Sequence, residues 1–439
     1  MIAEWSKACD LAASVNLGTL LYSEQKFLLM RTNNTLNYMK NWLCYLTAII
    51  GLLMLFISIY PVQGNVVQET QVAVFERNSN VPLWTYSSYE LGSGSISKDG
   101  SYVITTGDKL RLHNRNDGSL IWSYTLENER INQATTSLDG DYLVTGGVDY
   151  ALGPIMHLFS RDENTPLWSY ITDLSIESLA VSSDGNRIVV CTSPTVVGAE
   201  GKIYLFSRGD NQPLWIYSDD TWSVSISSDG KFIAAAGFYY VHLFADNSNT
   251  PLWAYIAEEW INSTTISADG NYLVAIGNTK GGGKREYLFA RESNTPIWTY
   301  SIDNAWIKSI AVSSNGNYIA MGAENSVFLF GNNDNVPLWR YDTGGWVDSV
   351  AISADGNYLA AAGKGVYFFN RQTNEPVWGQ KCEQGYLYTV SMSSDGNYLV
   401  TYGPSKFSAY RQPLSLIVYV AVGTIVIVTI LALVLHRRF

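Results

Sequence analysis

The chain has 439 residues, a formal net charge of -11 and only 15% charged residues, beside 36 glycines, 29 tyrosines and 14 tryptophans. Nucleic-acid binding needs clustered Lys and Arg to displace counterions, so this acidic balance argues against a nucleic-acid partner. Many aromatic residues and glycines with few charges favour short β-strands joined by tight turns over helical bundles.

The chain begins with a segment, residues 1–40, that stands before an apolar run at 42–60. Met39 and Lys40 come directly before that run, so we hypothesise that translation starts at Met39 and that the preceding residues lie upstream of the true start. Residues 41–64 are predicted to be a signal peptide or a signal anchor, because a basic residue precedes the run and residues 61–64 suit a signal peptidase. Cleavage and retention both stay open.

One pattern recurs through residues 65–412: an aromatic run such as Tyr204-Leu205-Phe206, a polar turn, Pro-Leu-Trp-x-Tyr, and an alternating run that ends in Asp-Gly. The Trp recurs every 38 to 47 residues, at Trp84, Trp122, Trp168, Trp215, Trp253, Trp298, Trp339 and Trp378. The Asp-Gly pairs begin at Asp99, Asp139, Asp184, Asp229, Asp269, Asp355 and Asp395, with Asn315-Gly316 in the remaining copy. Both counts give eight repeats.

Each repeat is predicted to form a four-stranded antiparallel unit. Val350 and Ile352 alternate with small residues, as a strand with one apolar face requires, and Asp355-Gly356 supplies the positive φ of a tight turn. A third strand at 366–370 and a fourth around Trp378 complete ~40 residues, the size of a propeller blade. The sequence therefore predicts an all-β fold, an eight-bladed β-propeller of four-stranded antiparallel blades.

The two ends of the repeat region complement each other. The first copy, 72–86, supplies only the last strands of a blade, whereas the last copy, 389–410, begins a blade and lacks its Pro-Leu-Trp strand. We expect one blade shared between the N- and C-terminal strands. Such a blade closes the ring and removes edge strands that invite aggregation.

These motifs resemble two repeat families. Ser-x-Asp-Gly-Asn-Tyr-Leu is similar to the first two strands of a WD repeat, and Tyr-Leu-Phe-x-Arg with Pro-Leu-Trp-x-Tyr is similar to the closing strands of quinoprotein (PQQ)-like repeats, over residues 69–412. The mixture, behind a signal segment, resembles membrane-anchored surface propellers of archaeal or bacterial type. The quinoprotein resemblance implies a dehydrogenase as one possible activity, but the adjacent cysteines of that family do not occur in this sequence.

Residues 413–435 are predicted to form a transmembrane helix, followed by a short cytoplasmic tail at 436–439. Positions 414–435 carry no charge, and 22 residues at ~1.5 Å each reach ~33 Å, enough to cross the hydrocarbon core of a bilayer. His436, Arg437 and Arg438 follow, and a basic end is typical of the cytoplasmic side. We expect a single-pass protein of the cell membrane, two-pass if the first segment is retained, with an extracytoplasmic propeller.

No catalytic, cofactor-binding or metal site is predicted. His113, His157 and His242 fall where other repeats carry aromatic residues, so we expect packing roles and identify no general base. The repeated Trp is expected to pack blade against blade, and the Asp of Asp-Gly to be a turn residue. Cys191 and Cys382 fall in distant repeats without a CxxC motif, so we expect neither a disulfide nor zinc.

The loop that enters each blade differs around the ring. Six residues before the central apolar position of the first strand stand, in order, Glu90, Arg130, Ser175, Asp220, Trp260, Trp306, Trp346 and Tyr386. The fourth loop is two residues shorter and offers Trp222 instead. Five consecutive blades thus carry an aromatic residue there, which we call the aromatic arc: Trp222, Trp260, Trp306, Trp346 and Tyr386.

A packing role common to all blades would not produce this asymmetry, so the aromatic arc is the predicted ligand-binding site. Loops on a rigid scaffold are common sites of recognition, and aromatic anchors within a polar rim suit a binding patch. Acidic residues of the same loops are expected to form that rim: Glu127, Glu129, Asp173, Asp219, Glu258, Glu259, Asp303 and Asp342. Tryptophan faces also suit sugars and cationic groups.

The sequence therefore predicts a non-catalytic, membrane-anchored, extracytoplasmic propeller that binds a protein, peptide or glycan through the loop face. The alternative is a structural envelope or assembly scaffold without a small ligand. A remote alternative is a quinoprotein-type enzyme.

Overall fold

The protein is described here from a computed structural model, for residues 70–404 except 90, 126–127, 194–199, 279–283, 303–304 and 383–384. Every regular element of these residues is a β-strand, and none of them forms a helix able to cross a membrane. The segments predicted at 1–40, 41–64, 413–435 and 436–439 lie outside the described residues.

The strands follow the repeat in chain order. The first half comprises β1 (Thr70–Glu76), β2 (Trp84–Ser88), β3 (Leu91–Ile96), β4 (Tyr102–Gly107), β5 (Lys109–Asn114), β6 (Leu120–Thr125), β7 (Glu129–Thr136), β8 (Tyr142–Asp149), β9 (Gly153–Ser160), β10 (Pro166–Ile171), β11 (Ser175–Val181), β12 (Arg187–Ser193), β13 (Lys202–Ser207), β14 (Pro213–Ser218), β15 (Ser223–Ile226) and β16 (Phe232–Gly237). The second half comprises β17 (Tyr240–Ala245), β18 (Trp253–Ile256), β19 (Trp260–Ile266), β20 (Tyr272–Asn278), β21 (Lys284–Ala290), β22 (Pro296–Ile302), β23 (Ile307–Val312), β24 (Tyr318–Ala323), β25 (Ser326–Gly331), β26 (Pro337–Asp342), β27 (Val347–Ile352), β28 (Tyr358–Gly363), β29 (Gly365–Asn370), β30 (Pro376–Lys381), β31 (Thr389–Met392) and β32 (Tyr398–Gly403).

These strands form eight four-stranded antiparallel sheets, which confirms the predicted eight-bladed propeller. Blades 1 to 7 are the consecutive quartets from β3–β6 to β27–β30, and blade 8 has the order β2-β1-β32-β31. Val72 pairs with Tyr402 in that blade, so the N- and C-terminal strands share it as predicted. The inner strands contact one another all the way around, β31 against β3 included, which closes the ring.

The Asp-Gly motif is a turn, as predicted, and a serine holds it in place. In blade 7, Ser353 Oγ donates to Asp355 Oδ1 at 2.6 Å and accepts from Tyr358 N at 3.0 Å. Gly356 has a φ of 71°, and a Cβ there would lie 2.4 Å from the Tyr318 ring of the preceding blade. Positive φ and this close approach both require glycine.

The same turns link the blades into a closed belt. Ser314 N donates to Ala354 O, Ala354 N to Ser394 O, and Ser394 N to Lys98 O, so the series passes from blade 6 to blade 1 across the shared blade. Equivalent backbone hydrogen bonds continue through blades 2 to 5. Because every blade donates to the next, the belt fixes the turn face of the ring.

Candidate functional site

The aromatic arc lies on the face opposite the Asp-Gly turns, where the loops entering the blades meet the turns between second and third strands. Trp260, Trp306, Trp346 and Tyr386 expose 50%, 52%, 41% and 46% of their surface, and Trp222 is half-buried. Trp260 is the first residue of β19, whereas the others stand in the loops before their strands. Glu90, the corresponding residue of blade 1, lies outside the described residues.

Two tryptophans at one end of the arc form a cluster with a phenylalanine. Trp222 lies 4.8 Å from Phe238 and 6.2 Å from Trp260 between ring centroids, and Phe238 lies 6.2 Å from Trp260. Phe238 occupies the β16–β17 turn with a φ of 40°, a conformation that bulky residues rarely adopt. Strained residues tend to cluster at functional sites. The sequence alone did not identify Phe238 as a candidate residue of the site.

The central tryptophans each carry a lysine ammonium on one ring face. Lys284 Nζ lies 4.1 Å from the Trp306 ring centroid, and Lys308 Nζ lies 4.6 Å from that of Trp346. Lys308 also forms an ion pair with Asp348 at 2.5 Å. These faces therefore already hold cations, which disfavours a cationic ligand at Trp306 and Trp346.

Tyrosines form the other end of the arc. Tyr386 and Tyr388 meet edge to face at 5.1 Å, and Tyr388 lies 5.6 Å from Tyr402 between ring centroids. The hydrogen bond with Tyr386, with partial burial, raises the pKa of Tyr388 to about 12. The Tyr388 hydroxyl is thus a neutral donor at physiological pH.

Hydrogen bonds fix the backbone beneath the arc. Glu324 N donates to Trp306 O at 2.9 Å, and Leu387 N donates to Gly363 O at 2.7 Å. A Cβ on Gly363 would lie 1.7 Å from Trp346 O, so only glycine lets this loop approach the sheet. Glu324 has a φ of 29°, which makes its turn the second strained one beside the arc.

Several acidic residues of the same loops are paired with side chains of the third strands and are not part of the free rim that the sequence predicts. Glu259 is 3% exposed and accepts a short hydrogen bond from Tyr287, while Asp219 Oδ2 lies 2.7 Å from His242 Nε2. Tyr204 donates to Asp173 at 2.8 Å. Partial burial alone would raise the pKa of Asp173, but hydrogen bonds from Lys202 and Tyr204 lower it.

Each of these carboxylates is held by the same position of the third strand and so supports its loop, although Asp173 keeps 52% of its side chain exposed. That position was predicted to hold a packed ring, and the histidines in it are buried as expected: His157 is 3% and His242 is 4% exposed. His113, at the neighbouring position, is 2% exposed. Glu258 and Asp342 stay exposed, and Glu127 and Asp303 lie outside the described residues.

Blade 2 contains a serine–histidine–carboxylate series that resembles a hydrolase triad only in composition. His157 Nδ1 lies 2.6 Å from Ser169 Oγ, and Nε2 lies 3.0 Å from Glu129 Oε2. Burial lowers the pKa of His157. In the hydrolase triad the serine faces Nε2 and the carboxylate faces Nδ1, whereas here Ser169 lies at Nδ1 and Glu129 at Nε2. The series supports the loop of Glu129.

The boundary between blades 5 and 6 holds two charged residues that sequence reasoning missed. Lys284 is 2% and Glu286 is 0% exposed, and neither side chain has a hydrogen-bond partner among the described residues. Burial lowers the pKa of Lys284 to about 8 and raises that of Glu286 to about 8. Aligning the third strands of the eight blades identifies Glu286 as an exception, because the other blades carry an apolar residue at the same position.

Two other features point away from a second site. An open cavity of about 830 Å³ lies between blades 1 and 2, lined by Tyr102, Trp122 and Arg161 among others. Arg161 is already paired with Asp141 at 2.5 Å and stacked on Tyr102 at 5.2 Å, so the cavity is a gap between blades. Within the described part of the chain, no group of three His, Cys, Asp or Glu residues suits a metal ion, and Cys191 is a buried free thiol.

Comparison with known proteins supports the class of fold. Residues 68–280 match a family model described as outer membrane protein assembly factor BamB. Among solved structures, the chain is similar to Chaetomium thermophilum Sqt1 bound to the N-terminus of the ribosomal protein L10, with a TM-score of 0.59 and 18% identity over 72% of this chain and 95% of that one. No curated protein matches the sequence. The chain is an eight-bladed β-propeller of WD/PQQ-like type.

Proposed function

We propose that the protein is a non-catalytic propeller, anchored in a membrane through residues 413–435 and exposed on the extracytoplasmic side, that binds a protein or peptide through the aromatic arc. The observation that carries the proposal is the exposure of four large rings on consecutive blades, on loops whose backbone is fixed by hydrogen bonds. Rigid aromatic anchors lose little conformational entropy on binding.

A peptide suits the surface better than a glycan. One face of Trp306 and one of Trp346 is occupied by a lysine ammonium, which leaves less aromatic surface for stacking on a sugar. Lysine ammonium groups and tyrosine hydroxyls are donors, and backbone carbonyls and carboxylates are their natural acceptors. The Sqt1 structure is that of a propeller bound to the N-terminus of another protein, so a fold of this kind accommodates a peptide.

The test uses the full-length protein in detergent, a displayed peptide library and a glycan array. We expect enriched peptides and no enriched glycan. Removing Trp306 and Trp346 together, as W306A/W346A, should weaken the selected peptides at least tenfold, because truncation of a central aromatic anchor typically costs about 2 kcal/mol.

Tyr150→Ala is the matched control. Tyr150 is 74% exposed in the β8–β9 hairpin of the same loop face, but it lies outside the arc, so its removal should leave the affinity unchanged. A folded W306A/W346A variant that binds the selected peptides as tightly as the wild type would show that the arc is not the site. Enrichment of neither probe would favour the scaffold alternative.

A further inference from the structure

One position of the third strand differs in a single blade. Seven blades carry a wholly buried aliphatic residue there: Val72, Leu110, Met156, Ile203, Val241, Val327 and Val366. Blade 5 carries Glu286 instead, also 0% exposed, with both carboxyl oxygens unpartnered among the described residues. Packing does not require a carboxyl group here, because an aliphatic residue fills the same position everywhere else.

Lys284 stands two residues earlier and therefore on the same face of β21. It is 2% exposed, and its ammonium has no hydrogen-bond partner among the described residues. No ion pair within 4.0 Å joins it to Glu286. A buried ammonium without a counterion is costly, so this boundary holds a cation that a ligand could neutralise.

Trp306 of the aromatic arc covers this cation. Its ring centroid lies 4.1 Å from Lys284 Nζ, and the indole is 52% exposed, so the ammonium lies one side chain beneath the binding face. Arg340 also lies on this boundary, with its guanidinium 5.3 Å from the Phe328 ring. Arg340 Nε donates to Ser326 Oγ at 3.0 Å.

The protonation states favour an anion. Burial leaves Glu286 with a pKa of about 8, so its carboxyl is mostly protonated at pH 7, while Lys284, also with a pKa of about 8, is mostly charged. The boundary is then cationic, and the protonated carboxyl of Glu286 is a hydrogen-bond donor. Lys308 offers no comparable free charge, because Asp348 pairs with it at 2.5 Å.

We propose that the boundary between blades 5 and 6 is a carboxylate subsite of the aromatic arc. Lys284 is the counterion of a carboxylate on the bound segment, and Trp306 packs against the apolar side chain beside it. This inference rests on the proposed function and names the chemistry of the partner: a peptide with an acidic group next to an apolar residue. The carboxylate belongs either to a chain terminus or to a Glu side chain.

The experiment follows the indole N–H signal of Trp306, assigned with Trp306→Phe, by NMR of the full-length protein in detergent at pH 7. The probes are N-acetyl-leucine with its amide, and acetyl-Leu-Glu-Leu-amide with its Gln counterpart. We expect the acid of at least one pair to bind at least tenfold more tightly than its neutral partner. A preference confined to the first pair identifies a terminal carboxylate, and one confined to the second identifies a side chain.

Lys284→Met should abolish the preference for acids, and Lys284→Arg should retain it. Lys231→Met is the control, because Lys231 is an exposed lysine on the opposite face beside Asp229. If Lys284→Met does not fold, the acids are titrated in Glu286→Gln, where the affinity should fall by about tenfold per pH unit above the lysine pKa.

Equal responses to acid and neutral probes, or no response to any of them, would overturn the subsite. If the aromatic arc were not the binding site, the result would be different: library-selected peptides would bind W306A/W346A as tightly as the wild type. The two experiments therefore distinguish an error in the carboxylate subsite from an error in the proposed function.

Discussion

Tryptophan has two distinct roles in this propeller, one in the outer strands and one in the loops. Seven of the eight outer-strand tryptophans donate their indole N–H to a backbone carbonyl of the next blade, as Trp339 does to Arg371 O at 2.8 Å and Trp378 to Arg77 O at 2.6 Å. Trp298 is the exception. The loop tryptophans occur in only four blades, and three of them, Trp260, Trp306 and Trp346, are exposed. Positions that repeat in every blade hold the ring together, and positions that vary are the candidates for function.

The largest expected effect concerns Glu286, which breaks the repeat inside the core. Its pKa is raised from 4.5 to about 8 by burial, so the folded state prefers the protonated form. This contribution to stability is complete below the unfolded pKa and is lost as pH rises through about 8. We expect the free energy of unfolding to fall by ~4 kcal/mol between pH 4.5 and 8, as measured by urea denaturation.

The control for this prediction is Glu286→Leu, which restores the aliphatic residue of the other blades. The variant should lose most of the decline between pH 4.5 and 8, and it should be more stable than the wild type at pH 8 because a buried orphan carboxylate is removed. A wild-type decline that persists unchanged in Glu286→Leu would mean that other groups cause it.

A smaller effect separates the two kinds of tryptophan. Trp339→Ala removes the hydrogen bond to Arg371 O and the contact with Phe369, whose ring lies 5.4 Å away. We expect it to lower the free energy of unfolding by about 3 kcal/mol. Trp306→Ala removes a half-exposed ring and its contact with Lys284, and should change stability by about 1 kcal/mol or less. Similar losses in both variants, measured in urea, would contradict the distinction between structural and functional positions.

Most of the fold could be predicted from the sequence because each blade repeats the same physical requirements. The Trp and Asp-Gly spacings gave eight blades, and the incomplete copies at 72–86 and 389–410 predicted the shared blade that β1, β2, β31 and β32 form. The serine that holds each turn was visible as part of the motif, although its hydrogen bonds were not predicted. The alternation of apolar and small or polar residues indicates which face of each strand is buried, and this information was sufficient to predict the blades.

The candidate site was only partly predictable, because its properties depend on contacts between distant segments. The arc residues were located by comparing loops, but the sequence did not reveal that lysines cover Trp306 and Trp346. The buried state of Glu259 depends on Tyr287, 28 positions away. A signal for such pairs exists within the repeats, since acidic loop residues match a His or Tyr of the third strand in blades 2 to 5, whereas blade 6 carries Phe328 there.

The most direct test of the central claim is a hydrogen-exchange footprint of a library-selected peptide on the full-length protein. We expect backbone protection in the loops of Trp222, Trp260, Trp306, Trp346 and Tyr386, and none in the corresponding loops of blades 1 to 3. Protection in the loops of Arg130 and Ser175, or on the face of the Asp-Gly turns, would contradict the assignment of the aromatic arc as the binding site.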